Sequence, residues 1–98
     1  MNSNKPDAAG VRSYLLQRYA QEIRGAGRVA SELPDTFDFL MEGIVDSFGV
    51  LELIAGIEKE FGLELDMSGI DSEQMTLLGP LSDYVAKQAN GGGSVTGT

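Results

Sequence analysis

The chain has 98 residues, a formal net charge of −8, and neither cysteine nor histidine. That length holds one small domain with a single modest core, and the missing residue types exclude disulfides, thiolate chemistry, the usual zinc sites and imidazole acid–base catalysis. The acidity argues against nucleic acid or an anionic membrane surface as a partner.

Residues 1–7 are polar, include Pro6, and are expected to form a loose start. From about Ala8 to Arg24, the apolar residues Val11, Leu15, Leu16, Tyr19 and Ile23 make a helical stripe flanked by arginines. Gly25 and Gly27 are expected to stop that helix. Residues 28–45 keep no period and carry Pro34 and several acids, yet Leu33, Phe37, Leu40, Met41 and Ile44 are too apolar for a solvated linker. They read as a long loop laid over the core. From Ser47 or Phe48 to Phe61, the residues Val50, Leu53, Ile54, Ile57 and Phe61 follow the spacing of a buried helical stripe, which Gly62 ends. A short helical turn is expected within 67–75, with Ile70 and Met75 inward. Thr76 reads as the N-cap of a last helix carrying Leu77, Leu78, Leu81, Tyr84 and Val85, with Pro80 tolerated in its first turn. The domain thus spans 8–90, and 91–98 reads as a flexible Gly/Ser tail. No apolar run is long enough to cross a bilayer and no secretory leader is expected, so a soluble, cytoplasmic, monomeric protein is the expectation.

Charge is distributed unevenly. All but three of the fifteen acids (Asp7, Glu22 and Asp83) fall between Glu32 and Glu73, where Lys59 is the one base. A solvated face explains part of such a run. Its concentration around one candidate site also suggests electrostatic steering of basic partners.

That candidate site is Asp46-Ser47 at the mouth of the second long helix. Ser47 can be an N-cap, or a hydroxyl held out for modification where a helix N-terminus favours a phosphate. A nucleophilic role is poorly supported, because the chain has no histidine base and no G-x-S-x-G elbow. The acids from Asp35 to Asp46 also lack the spacing of a calcium-binding loop. On the face opposite the core stripe, Phe48, Leu51 and Ala55 line up, bordered by Glu52, Glu58 and Lys59. Exposed contiguous apolar surface marks a docking site unless a loop covers it.

At these residues the chain resembles the acyl carrier protein family, small four-helix proteins that bear 4′-phosphopantetheine. The resemblance rests on Asp46-Ser47-Phe48, then Leu51-Glu52-Leu53, then Glu58-Lys59-Glu60-Phe61-Gly62, with Gly43-Ile44-Val45 before the pair and Thr76 to Val85 at the last helix. It covers roughly residues 10–88. It implies an all-α, acyl-carrier-protein-like four-helix bundle, three helices longer and one short, with a long loop between the first two. It also implies that Ser47 receives 4′-phosphopantetheine from coenzyme A through a separate phosphopantetheinyl transferase, and that Asp46 helps engage that transferase and its magnesium. Phe48, Leu51, Glu52, Ala55 and Glu58 would then meet partner enzymes: a loading ligase or acyltransferase, then the downstream biosynthetic enzymes. The protein would be a carrier and not itself an enzyme.

The chain departs from the fatty-acid carriers at Gly49, where an acid is common, at Lys59, which interrupts the acidic run, and at the small Ala55 and Gly56. In its wording it looks most like D-alanyl and other stand-alone specialised carriers, which take an amino acid or short acyl group from an adenylating ligase. The competing expectation is the same bundle unmodified, acting as an interaction module through its acidic helix.

Overall fold

Asp7 opens the first helix: its carboxylate accepts from the Gly10 amide at 2.8 Å, an N-cap geometry. The computed structural model describes residues 6–90, so the tail expected at 91–98 and most of the start expected at 1–7 lie outside the described residues. Among the described residues four α-helices form: α1 (Ala8–Arg18), α2 (Ala20–Gly25), α3 (Ser47–Phe61) and α4 (Leu78–Ala89). Two 3-10 turns, Ala30–Glu32 and Met67–Gly69, interrupt the connections. No β-strand occurs among the described residues, apart from one isolated antiparallel bridge between Asp38 and Leu77. The protein is a small all-α bundle.

Helices α3 and α4 lie where two helices are expected, and the others differ. The first stripe was expected to be continuous to Arg24, but it breaks at Tyr19, whose φ of −106° and ψ of 21° leave the helical region. The break keeps the stripe facing inward, since Val11, Leu15, Tyr19 and Ile23 are all buried. The short turn expected within 67–75 forms at Met67–Gly69, while Ile70 and Met75, expected to face inward, are half-buried. Asp66 caps that turn by accepting from the amide and hydroxyl of Ser68 at 3.0 and 2.6 Å.

Helices α1 and α4 form the closest pair. Between them and α3 lies a core of Val11, Leu15 and Ile23 from the first pair, Leu53 and Ile57 from α3, and Leu78, Leu81 and Val85 from α4. Of the stripe expected on α3, Leu53 and Ile57 are fully buried, whereas Val50, Ile54 and Phe61 are half-buried at its edge. Helix α3 approaches α1 through Gly56, where an added Cβ would lie 2.7 Å from the Tyr14 hydroxyl. The Tyr14 ring meets Phe61 edge-on at 5.6 Å. Burial there pushes the Tyr14 phenol pKa up, by disfavouring the phenolate.

The long connection between α2 and α3 contributes more than a covering. Leu33, Phe37, Phe39, Ile44 and Val45 are all buried. Phe39 is wholly so, meeting Tyr19 and Phe37 edge-on at 5.6 and 5.3 Å. Leu40 and Met41, expected to lie on the core, instead face outward with Met41 79% exposed. Arg12 fastens the near end of the loop to α1 by donating to the Leu33 carbonyl at 2.6 Å and to the Asp35 carboxylate.

The start of α4 also differs from expectation. Its N-cap is Leu77, with no side-chain cap, and Thr76 is buried with its hydroxyl donating to Asp38 at 2.8 Å. Capping falls to the loop backbone: the Leu78 and Gly79 amides donate to the carbonyls of Phe37 and Asp35 at 2.8 and 2.9 Å. Pro80, next in line, has no N–H to satisfy, and a first-turn proline therefore loses nothing.

Candidate functional site

The turn that leads into α3 is organised by one side chain. Asp38 Oδ1 accepts from the amides of Leu40 and Met41 at 2.9 and 3.1 Å and from the Thr76 hydroxyl at 2.8 Å. The Glu42 amide returns to the Asp38 carbonyl at 2.9 Å, and Gly43 closes the turn with φ 77°. That left-handed angle is open to glycine and strained for most other residues. The chain then runs inward, where the Val45 amide donates to the Phe39 carbonyl at 3.0 Å. Ile44 and Val45 are both buried there.

Asp46 follows in extended conformation (φ −98°, ψ −173°) and is the N-cap of α3, its Oδ1 accepting from the Gly49 amide at 2.7 Å. Ser47 is therefore the first helical residue and not the cap. It is exposed, and no hydrogen bond among the described residues engages its hydroxyl. The Ser47 and Phe48 amides likewise have no acceptor among the described residues, as the first donors of a helix do not. A phosphate esterified at Ser47 would thus meet unpaired N–H groups and the positive end of a fifteen-residue helix. The residues present fit such a group.

Gly49 has a steric reason to be glycine. A Cβ there would lie 3.0 Å from Val45 Cβ and 3.2 Å from Asp46 Oδ1. The buried loop end and the capping carboxylate both press against the first turn of α3. An acid at this position would crowd both.

Beside Asp46 an open cleft of about 310 Å³ lies between the α1–α2 break and the first turns of α3, with Tyr19, Ile44 and Val45 on its wall. Arg18 lies across the Tyr19 ring at 5.5 Å, and the nearness of that tyrosine raises its already high pKa. Glu22, Asp46 and Glu52 also line the cleft. No cluster of three or more His, Cys, Asp or Glu side chains suited to a metal occurs among the described residues.

Along α3, Phe48 is 82% exposed and Leu51 70%, and Glu52 and Ala55 are exposed with them. Glu58 is half-buried, and its Oε2 accepts from the Leu65 amide at 2.8 Å. Its carboxylate therefore ties the segment after α3 to the helix, in contrast to the open carboxylate of Glu52. Sequence periodicity anticipated the exposed apolar strip of Phe48, Leu51 and Ala55. It missed Asp38 and Thr76, whose meeting is a contact across 38 residues that no local pattern signals.

Comparison of the chain with family models, with curated proteins and with solved structures finds no match. No helix among the described residues is long and apolar enough to cross a membrane.

Proposed function

We propose that the chain is an acyl carrier protein that holds an acyl or aminoacyl group as a thioester on 4′-phosphopantetheine attached to Ser47, and delivers it to biosynthetic enzymes. The observation that carries this reading is the division of labour at the α3 N-terminus. Asp46 takes the capping bond, leaving the Ser47 hydroxyl exposed beside an exposed Phe48 and Leu51. In the loading step the Ser47 oxygen forms a bond to the β-phosphorus of coenzyme A, the pyrophosphate bond breaks, and 3′,5′-ADP leaves. The serine proton passes to the transferase. The arm supplies the thiol that a chain without cysteine lacks. Phe48, Leu51 and Ala55 form the apolar strip against which partners dock, and Glu52 supplies exposed negative charge beside it.

The test is intact-protein mass spectrometry after incubation with coenzyme A, magnesium and a broad-specificity phosphopantetheinyl transferase. One phosphopantetheinyl group on the wild type and none on Ser47→Ala is the expected result. A folded wild type that stays unmodified, or a modified Ser47→Ala, overturns the reading and leaves the unmodified interaction module in its place.

A further inference from the structure

We infer that Asp38 and Thr76 form a latch that positions the loop leading to Ser47, and so sets how well the serine is presented to the enzyme that modifies it. The inference rests on the reading of Ser47 as the modified residue.

The geometry is a chain of short links. Thr76, buried immediately before α4, donates its hydroxyl to Asp38 Oδ1 at 2.8 Å. The same oxygen accepts from the Leu40 and Met41 amides, which shapes the turn that puts Met41 outward. The Phe39 amide donates to the Thr76 carbonyl at 2.9 Å, and the Phe39 carbonyl accepts from Val45 at 3.0 Å. Val45 adjoins Asp46, the cap that leaves Ser47 free. Thus the turn before Ser47 is referenced to the start of α4, far away in sequence, by the backbone bond between Phe39 and Thr76 and, at the turn itself, by the Asp38 carboxylate oxygen. Asp38 and Thr76 are accordingly positioning residues. Neither needs to touch the incoming group.

If the latch sets the population of the presented loop, loosening it lowers the competent fraction and raises apparent KM in proportion, while kcat at saturation stays near its original value. A general loss of stability would lower the melting temperature without moving KM well below it. Losing one hydrogen bond of this kind changes such an equilibrium by at most roughly three- to tenfold. The experiment measures transferase kinetics on the full chain, with thermal melting and amide hydrogen exchange alongside. Thr76→Val should raise KM by up to about threefold and Asp38→Ala by more, up to about tenfold, each with kcat within about twofold. Asp38→Asn keeps an accepting oxygen and should restore wild-type KM. In the wild type the Leu40 and Met41 amides should be protected from exchange, and Asp38→Ala should abolish that protection.

Folded Thr76→Val and Asp38→Ala proteins with unchanged KM overturn the inference. So does a wild type whose Leu40 and Met41 amides exchange at unprotected rates, a result that stands even if a variant fails to fold. A wild type that is never loaded removes the carrier reading instead, and the exchange data still judge the latch.

Discussion

Replacing Asp46 by Ala tests which residue caps α3, and with it whether the Ser47 hydroxyl is free. The Asp46 carboxylate satisfies the Gly49 amide at 2.7 Å and stands at the positive end of a fifteen-residue helix. Loss of an N-cap acceptor costs about 0.5–2 kcal/mol. Removing a negative charge from a helix N-terminus costs about a further 0.3–1 kcal/mol at low salt. Gly49 adds sensitivity, because a glycine in the first turn gives the helix little intrinsic propensity to fall back on. Asp46→Ala should therefore destabilise by about 1–3 kcal/mol, a fall in Tm of roughly 4–8 °C for each kcal/mol in a domain of this size. Ser47→Ala removes an exposed hydroxyl with no partner among the described residues, and should stay within about 0.5 kcal/mol of wild type. Asp46→Asn separates the two contributions: it keeps the acceptor, loses the charge, and should lose the salt-dependent part alone. The assay is urea and thermal unfolding by circular dichroism at low and high salt. If Ser47→Ala proves the more damaging of the two alanines, the cap is Ser47 and the free-hydroxyl reasoning fails.

Ile57, fully buried on α3, should cost about 2–5 kcal/mol when cut to Ala, while half-buried Ile54→Ala should cost clearly less; equal losses in chemical denaturation would contradict the observed facing of the helix. For docking, Leu51→Ala should act mainly by raising the off-rate and Glu52→Lys mainly by slowing salt-sensitive capture. Loading kinetics unchanged for both folded variants, at low and high salt, would move the docking surface off this face of α3. Hydrogen bonds from the Ser68 hydroxyl and amide hold the Asp66 carboxyl below its usual range. A lowered pKa contributes stability that is present at neutral pH and is lost as pH falls through the folded value. Ser68→Ala should therefore raise the Asp66 pKa, seen by NMR titration, and shrink the share of acid destabilisation that this carboxyl contributes; an unmoved titration would show that the hydroxyl contributes nothing.

Local patterns in the chain determined the helical class, the start and end of α3, and the inward faces of the helices. They did so because helix periodicity, a capping aspartate and a terminal glycine act over a few residues and need no distant partner. Leu53 and Ile57 stand in the core for that reason, and Gly62, with φ 65°, ends α3 as its position suggests. The same patterns made the Asp46-Ser47 pair legible as a helix mouth, though not which of the two residues caps it. That choice turns on one angle and one 2.7 Å hydrogen bond.

The loop was beyond local reading. Phe39 and Met41 sit two positions apart in an aperiodic stretch, one wholly buried and the other 79% exposed. What separates them is the turn held by Asp38, and Asp38 is itself held by a threonine 38 residues away. Thr76 reads as a helix cap in sequence because threonine next to an apolar run favours that role. In the fold its hydroxyl is drawn to Asp38, and the backbone of the loop satisfies the α4 amides instead. A side chain's local preference decides its role only when no stronger partner arrives from elsewhere in the chain, and the arrival of such partners is what tertiary structure alone determines.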